Sequence, residues 1–188
     1  PETETSYFKH QLADISDLKA TANAGETKAT VSFTIPSTDA NGNAIDIPSY
    51  SSDGMRCYIY ADNNYVTPQG LPSSMKMGDK VSCTVDLTGG MHVITVLLYP
   101  YYNDVASVRT STILVCGYDA PETVGSPTLA VKDSKATITW TAPKKGKYSD
   151  FGSTFDTSDI TYKVVRNNDG KVIADGITAT TAEDSELG

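Results

Sequence analysis

The sequence predicts an all-β protein made of two consecutive antiparallel β-sandwiches, the second without its last two strands. The first observation is a repeat: Lys28–Pro36 and Lys135–Pro143 share five of nine residues. Each copy alternates residues suited to a core with short hydroxylated residues, which is typical of a strand with one buried face. The second observation is that turn-forming residues interrupt short apolar segments about every ten residues. No useful length of sequence has helical periodicity.

The first copy is predicted to contain seven strands. In chain order they are Ile15–Ala22, Lys28–Ile35, Met55–Ala61, Tyr65–Thr67, Lys80–Leu87, Met91–Tyr99 and Arg109–Cys116. Val31 and Phe33 are the expected core residues of the second of these strands. The pair Asn41-Gly42 is typical of a tight turn, and Asp62-Asn63-Asn64 is expected to turn the chain. Both alternating sets of the sixth strand are apolar, so we expect this strand to be covered on both faces.

The second copy is predicted to contain five strands, with Ile138 and Trp140 as core residues. They are Thr128–Lys132, Ala136–Thr141, Ile160–Arg166, Lys171–Asp175 and Thr180–Leu187. The segment Thr88–Cys116 follows the fifth strand of the first copy, whereas only Gly188 follows the matching strand of the second. We therefore expect an unpaired strand edge that is open to strand exchange or to a dimer. A chain cut from a longer protein explains the same observation.

Three segments of the second copy resemble a fibronectin type III module: Trp140–Pro143, Ile160–Arg166 and Val172–Thr178. The link Gly117–Pro121 is similar to the joint between tandem modules in secreted and surface proteins of Bacteroidetes. The resemblance implies two immunoglobulin-like modules, at residues 15–119 and 120–188. Residues 1–14 are expected to be a leader or linker, and the polar residues 1–13 are expected to be irregular. The chain departs from the family at Phe33, where a tryptophan is usual. The resemblance also implies an extracellular or cell-surface location.

The charge balance restricts the partners that we expect. The chain has a net charge of −8, and an acidic surface repels the phosphates of nucleic acids and of anionic membranes. No apolar segment approaches the roughly 20 residues that span a bilayer, so direct membrane insertion is not expected. The expected partner is a protein or a carbohydrate at the cell surface.

No residue pattern predicts catalysis, a cofactor or a metal. The chain has two histidines, His10 and His92, and lacks nucleophile-elbow and phosphate-loop motifs. His92 is expected to be a solvated residue at a strand end. Asp150, Asp156 and Asp159 could supply a few calcium ligands, but their spacing fits a solvated acidic loop better. We therefore predict that the chain is not an enzyme.

Three cysteines, Cys57, Cys83 and Cys116, lie within predicted strands, and no Cys-x-x-Cys spacing occurs. We interpret them as free thiols that act as small core residues. A disulfide between two strands is the alternative.

Tyrosine is the one over-used residue, and eight of the eleven tyrosines lie in the first 110 residues. Tyr58 and Tyr60 are predicted to share the outward face of a strand, beside Tyr99, Tyr101 and Tyr102. Rigid amphipathic rings suit protein and carbohydrate interfaces. They also stabilise sheet surfaces through cross-strand pairs alone. These five residues are the candidate interaction face.

Three functions fit these observations. The first is a non-catalytic scaffold or adhesion module that binds a protein or a glycan. The second is an accessory module of a secreted polysaccharide- or protein-degrading enzyme whose catalytic domain lies outside this chain. The third is a carbohydrate-binding protein that uses the tyrosines. A widely reused sandwich does not decide among them.

Overall fold

A computed structural model describes residues 10–45, 55–100, 105–153 and 155–187. The chain divides into two compact units, Pro1–Tyr118 and Asp119–Gly188, which we call unit 1 and unit 2. Strands joined by turns and loops form both units, and the helical structure among the described residues is a single turn at Ser149–Phe151. The prediction of an all-β chain with antiparallel sheets is confirmed, and the arrangement is consistent with a β-sandwich.

Unit 1 contains two main antiparallel sheets. The first sheet has the order β2-β3-β6 and consists of β2 (Lys19–Ala22), β3 (Lys28–Thr34) and β6 (Lys80–Asp86). The second sheet has the order β5-β4-β7-β9 and consists of β4 (Met55–Ala61), β5 (Asn64–Val66), β7 (Gly90–Pro100) and β9 (Val108–Cys116). Strand β4 has the bounds that the sequence predicts, and the ends of most other strands shift by one or two residues.

Both sheets of unit 1 contribute side chains to one hydrophobic core. Val31 and Phe33 of β3 are 0% and 2% exposed, as the alternating pattern predicts. On the other sheet, Ile94, Val96 and Leu98 of β7 are completely buried. Residues 94–98 of β7 are buried on both faces, which confirms the prediction of a covered strand over this central part. Removal of this apolar surface from water, worth about 25 cal/mol per Å², is the main force that stabilises the unit.

Part of the predicted leader belongs to unit 1. A short strand β1 (His10–Gln11) pairs in parallel with β8 (Val105–Ala106), and the next residue, Leu12, is only 1% exposed. The predicted irregular segment is therefore structured from residue 10, because the Leu12 side chain contributes to the core. The predicted first strand in turn starts later, at Lys19.

A tight turn forms at Asn41-Gly42, as the sequence predicts. The Gly42 N–H donates to the Asp39 carbonyl over 2.9 Å, and Gly42 has a φ of 85°, which favours glycine. The buried Asp39 carboxylate accepts hydrogen bonds from the Asn41 and Asn43 N–H groups and from the His10 ring. These bonds, with that of His10 the largest cause, lower the pKa of Asp39 to about 2. An ionised carboxylate thus organises this loop.

Unit 2 contains a three-stranded and a two-stranded antiparallel sheet. The first has the order β10-β11-β14 and consists of β10 (Gly125–Lys132), β11 (Lys135–Thr141) and β14 (Thr181–Asp184). The second pairs β12 (Tyr162–Val165) with β13 (Val172–Ile177). A two-residue turn at Asp133 and Ser134, with φ values of 50° and 60°, joins β10 to β11.

The apolar core of unit 2 is small. Its buried hydrophobic residues, among those described, are Ala136 and Trp140. The Trp140 ring contacts Tyr162 edge to face, with 5.2 Å between the centroids. The predicted core role of Trp140 is confirmed, whereas Ile138 is only half-buried. The sheet face that carries Ile138 is thus incompletely covered.

A cluster of charged groups links the two sheets of unit 2. Arg166, which follows β12, donates to the carboxylates of Asp169 and Asp184 and to the Glu186 carbonyl. Asp184 lies on β14 and is 5% exposed. The Arg166 hydrogen bond is the largest of the causes that lower the pKa of Asp169 to about 2. We call Arg166, Asp169 and Asp184 the ionic clasp.

Candidate functional site

The outward face of the four-stranded sheet presents tyrosine side chains. Ile59 of β4 is completely buried, and side chains alternate between the two faces of a strand. Its neighbours Tyr58 and Tyr60 therefore lie on the outward face, where both are half-buried. The structure thus brings together two of the five predicted site residues.

A two-residue turn adds a third tyrosine to this face. Asp62 and Asn63 have φ values of 51° and 66°, the left-handed backbone of tight hairpin turns. The turn pairs Tyr65 of β5 with Tyr60 of β4, and residues directly opposite in antiparallel strands share a face. Tyr65 is absent from the predicted site, although the predicted turn at residues 62–64 already contained the signal. We call Tyr58, Tyr60 and Tyr65 the tyrosine face.

The three rings hold one another through edge contacts. The Tyr65 centroid lies 6.4 Å from that of Tyr58 and 6.1 Å from that of Tyr60, with interplanar angles of 65° and 75°. The Arg109 guanidinium carbon lies over the Tyr60 ring, 5.5 Å from its centroid, within the range of a cation–π interaction. Tyr65 is 56% exposed. The Tyr65 ring is therefore held by two neighbouring rings, and more than half of its surface is open to a partner.

Tyr99 lies on the same outward face, farther along the sheet. It is opposite Arg56 in the β4–β7 pairing, and it is 44% exposed. Arg56 and Arg109 are two of the three arginines in the chain, and both lie on this face. The predicted residues Tyr101 and Tyr102 lie outside the described residues.

Exposed aliphatic side chains continue this face toward the other end of the sheet. Val93 of β7 is paired with Ile113 of β9, and the two are 42% and 45% exposed. Met91, two residues before Val93 and on the same face, is 39% exposed. Between these residues and the tyrosines, the Thr95 and Ser111 hydroxyls form a 2.8 Å hydrogen bond. The outward face thus combines aromatic, aliphatic and cationic groups.

His92 supports the turn that positions Tyr65. The prediction of a solvated His92 is wrong, because the residue is 8% exposed. Its Nδ1 lies 2.7 Å from Asp62 Oδ2, and its Nε2 lies 2.8 Å from the Thr88 carbonyl oxygen. Asp62 Oδ1 accepts a hydrogen bond from the Val93 N–H, which is the largest cause of the lowered pKa of Asp62. The ring therefore ties the β4–β5 turn to the start of β7.

The three cysteines are free thiols. Burial raises the pKa of Cys57 to about 12, with a further contribution from Cys83, and raises that of Cys83 to about 11. Burial also raises the pKa of Cys116. Neutral buried thiols are poor nucleophiles, so these side chains act as small core residues. All three lie in unit 1.

The acidic residues singled out in the sequence do not converge on one point. Asp150 is paired with Lys145, and Asp156 accepts the Ser158 N–H. Both are exposed. Among residues 10–45, 55–100, 105–153 and 155–187, no group of three or more His, Cys, Asp or Glu side chains could hold a metal ion.

No family model matches this chain, and no curated protein matches it significantly. In the described part of the chain, no helix has the length and apolar character needed to cross a membrane. The interpretation of the tyrosine face therefore depends on its own geometry.

Proposed function

We propose that the chain is a non-catalytic interaction module of a secreted or cell-surface protein, and that unit 1 binds a protein partner through the tyrosine face. The observation that carries this proposal is the cluster of three tyrosines with the Arg109 guanidinium over the Tyr60 ring. Tyrosine and arginine are enriched in protein interfaces and in their energetic hot spots.

The packing of the cluster favours binding over a purely structural role. A side chain that is already immobilised loses little conformational entropy when a partner covers it. Tyr65 is held by both neighbouring rings, yet more than half of its surface is exposed. The cluster is therefore an organised surface that a partner can desolvate.

The ring orientations favour a protein over a glycan. A sugar ring stacks its C–H face parallel to an aromatic face, and a flat platform of several sugars needs rings with similar orientation. The rings here meet at 65° and 75°, which gives an uneven surface suited to side chains of a polypeptide. Arg56 and Arg109 on this face add donors for carboxylates. The expected partner surface is apolar at its centre and acidic at its edge.

The strand orders support a fibronectin type III, immunoglobulin-like architecture for both units. In unit 1 the orders are β2-β3-β6 and β5-β4-β7-β9. In unit 2 the sheets β10-β11-β14 and β12-β13 follow the same sequence of pairings. Modules of this class commonly serve as spacers and binding scaffolds in extracellular proteins, which agrees with the proposed location.

The test compares protein partners captured by the wild-type chain with those captured by the Tyr60→Ser/Tyr65→Ser variant. We expect at least one partner to bind the wild type at least tenfold more tightly than the variant, measured by titration of the purified pair. Tyr118→Ser is the matched control, because Tyr118 is 88% exposed and lies outside the tyrosine face. This control should retain wild-type affinity.

The same three proteins are applied to a glycan array. Wild-type binding to an oligosaccharide that the double variant loses would identify a glycan site and contradict the protein partner. If the wild type, the double variant and the control bind the protein partner equally, the tyrosine face does not take part in binding. Circular dichroism of the double variant checks that unit 1 remains folded.

A further inference from the structure

A polar depression lies on the outward face of the three-stranded sheet of unit 1, on the opposite sheet from the tyrosine face. Thr30 of β3 is paired with Thr21 of β2 on one side and with Thr84 of β6 on the other. Because Ala29 and Val31, the neighbours of Thr30, are buried in the core, the three threonines point away from it. They line the depression, and we call them the threonine row.

Charged and amide side chains of the turn between β2 and β3 and of the start of β3 complete the depression. The Asn23 Nδ2 group donates to Glu26 Oε2 over 2.9 Å, and Lys28 Nζ lies 3.6 Å from Asp86 Oδ1. Asn23, Glu26 and Lys28 line the depression, which has a volume of about 250 Å³. Pockets for drug-sized ligands have volumes of about 300–1,000 Å³, so this depression suits a single small polar ring.

The same turn holds an aromatic ring. The Glu26 N–H donates to the Asn23 carbonyl over 3.0 Å, and Gly25 between them has a φ of 77°. A Cβ atom at Gly25 would lie 2.7 Å from Cζ of Tyr118, so only glycine lets the ring approach the turn this closely. The Gly117 N–H donates to the Glu26 carbonyl over 2.8 Å and fixes the residue before Tyr118. Tyr118 is thereby held beside the turn residues that line the depression.

Contact with Gly25 leaves the Tyr118 ring almost entirely accessible. The residue is 88% exposed, so most of its aromatic surface is open to solvent. Burial stabilises a fold in proportion to the apolar area that it removes from water, and Tyr118 therefore adds little to the stability of unit 1. The ring is positioned without being buried, as a side chain that contacts a ligand needs to be.

The ring and the depression together match the chemistry of a sugar. A pyranose has apolar C–H groups on one face, which pack on an aromatic ring, and hydroxyl groups around its edge. The Asn23 amide and the threonine hydroxyls each offer donors and acceptors to those hydroxyl groups, and the Glu26 carboxylate accepts charge-assisted hydrogen bonds from them. One accessible ring beside polar groups suits one stacked sugar, unlike the tyrosine face, whose rings meet at steep angles.

We propose that unit 1 carries a glycan-binding site in which a terminal, uncharged hexose stacks on Tyr118 and forms hydrogen bonds with Asn23, Glu26 and the threonine row. An uncharged sugar is favoured because the residues that line the depression include one carboxylate and one ammonium group. The ammonium group of Lys28 is already paired with Asp86, so an anionic sugar gains little from it. Unit 1 thus binds a glycan on one sheet and a protein on the other.

The test applies the full chain to an array of neutral and acidic oligosaccharides with different terminal sugars. We expect saturable binding to at least one oligosaccharide that ends in a neutral hexose, and calorimetric titration with that oligosaccharide measures the affinity. Tyr118→Ser should weaken this affinity at least tenfold. Tyr118→Phe should retain it, because stacking needs the ring and not its hydroxyl group. Both variants should fold as the wild type does, since Tyr118 is exposed.

Two further variants locate the polar contacts and provide a control. Glu26→Gln should weaken the affinity at least threefold, because hydrogen bonds to a carboxylate are roughly twice as strong as those to a neutral amide. Phe151→Ser is the matched control, since Phe151 is also an exposed aromatic residue, 51% accessible, but lies in unit 2. This control should retain the wild-type affinity for the oligosaccharide.

The proposal is overturned by an absence of saturable binding to every oligosaccharide, by binding restricted to acidic sugars, or by an unchanged affinity in the Tyr118→Ser variant. Loss of glycan binding in the Tyr60→Ser/Tyr65→Ser variant would move the glycan to the tyrosine face and would equally reject it. Any captured protein partner is titrated after its own glycans are removed, so that the protein proposal and the glycan proposal can fail separately.

Discussion

Each of the two units has a three-stranded antiparallel sheet, but the two units are stabilised in different ways. Unit 1 has an extended apolar core to which both of its sheets contribute. In unit 2, the described buried hydrophobic side chains are Ala136 and Trp140, and the ionic clasp of Arg166, Asp169 and Asp184 links the two sheets. Apolar burial contributes in proportion to area, whereas a partly buried ion pair contributes little beyond its desolvation cost. Unit 1 should therefore be the more stable of the two.

The chain contains a separate reporter for each unit. Trp140 lies in unit 2, and Cys57, Cys83 and Cys116 all lie in unit 1. Because Cys83 and Cys116 are buried in the folded state, their labelling in urea measures the unfolding of unit 1. Trp140 fluorescence measures the unfolding of unit 2. We expect the fluorescence transition at the lower urea concentration, and coincident transitions would contradict the proposed difference.

The largest expected effect is that of Phe33→Ala in unit 1. Phe33 is 2% exposed, and truncation of a buried phenylalanine lowers the free energy of unfolding by about 3–5 kcal/mol. Ile138→Ala in unit 2 should cost only about 1–2 kcal/mol, since Ile138 is half-buried and leaves little cavity. Urea unfolding measures both free-energy changes. Thiol labelling monitors the Phe33→Ala variant, and Trp140 fluorescence monitors the Ile138→Ala variant. Equal costs would show that the two cores are equivalent.

The next effect is that of Arg166→Met on unit 2. The substitution leaves the buried Asp184 carboxylate without its cationic partner, which is strongly destabilising, so the midpoint of the Trp140 transition should fall markedly. Lys163→Met is the control, because the Lys163 and Asp175 side chains are 55% and 63% exposed. Exposed pairs contribute less than about 1 kcal/mol. If the two variants behave alike, the clasp does not stabilise unit 2.

Acid should destabilise both units, through a different carboxylate in each. The pKa values of Asp39 in unit 1 and Asp169 in unit 2 are lowered from 3.8 to about 2. A lowered pKa in the folded state gives stability that is present above the unfolded value and is lost as the pH falls through the folded value. Stability should therefore decline between about pH 4 and pH 2.

Two asparagine variants separate these contributions. Asp39→Asn should reduce the acid dependence of the thiol-labelling transition only, because Asp39 lies in unit 1. Asp169→Asn should reduce the acid dependence of the Trp140 transition only, because Asp169 lies in unit 2. Urea titrations at pH 5 and pH 3 measure both, with thiols labelled by 4,4′-dithiodipyridine, a reagent that still reacts at acid pH. A variant that changes the pH dependence of the other unit would argue against independent units.

The smallest expected effect is that of Leu129→Ser/Val131→Ser on the stability of unit 2. These side chains are mostly exposed, and surface substitutions usually change the free energy of unfolding by less than about 0.5 kcal/mol. Trp140 fluorescence in urea measures the change. A loss of several kcal/mol would mean that the two residues are already covered in solution.

Local patterns in the sequence predict most of the strands. The strand Met55–Ala61 is found with its predicted bounds. Alternation of side chains indicates its two faces, and the turn-forming residues that follow indicate its end. The repeat that contains Phe33 and Trp140 likewise identifies the two residues that are buried in the matching strands. These features depend on residues that are close in the sequence.

The features that the sequence does not predict depend on distant partners. His92 is buried because its ring binds Asp62, 30 residues away, and no local pattern indicates that contact. The two-residue strands β1 and β8 are too short to show a period. Tyr65 lies between these two cases, because a local turn decides its position. The two-residue turn at Asp62-Asn63 places Tyr65 opposite Tyr60. Predicting Tyr65 as a site residue therefore required the exact register of the hairpin.

The parallel pairing of β1 with β8 has a mechanical consequence. The chain enters unit 1 through β1 and leaves soon after β8 and β9, which follow one another with a single residue between them. A pull that separates residue 10 from residue 106 drags two parallel strands in opposite directions along their length. Their hydrogen bonds are then loaded together in shear and do not open one by one, so this small pair resists stretching of the unit.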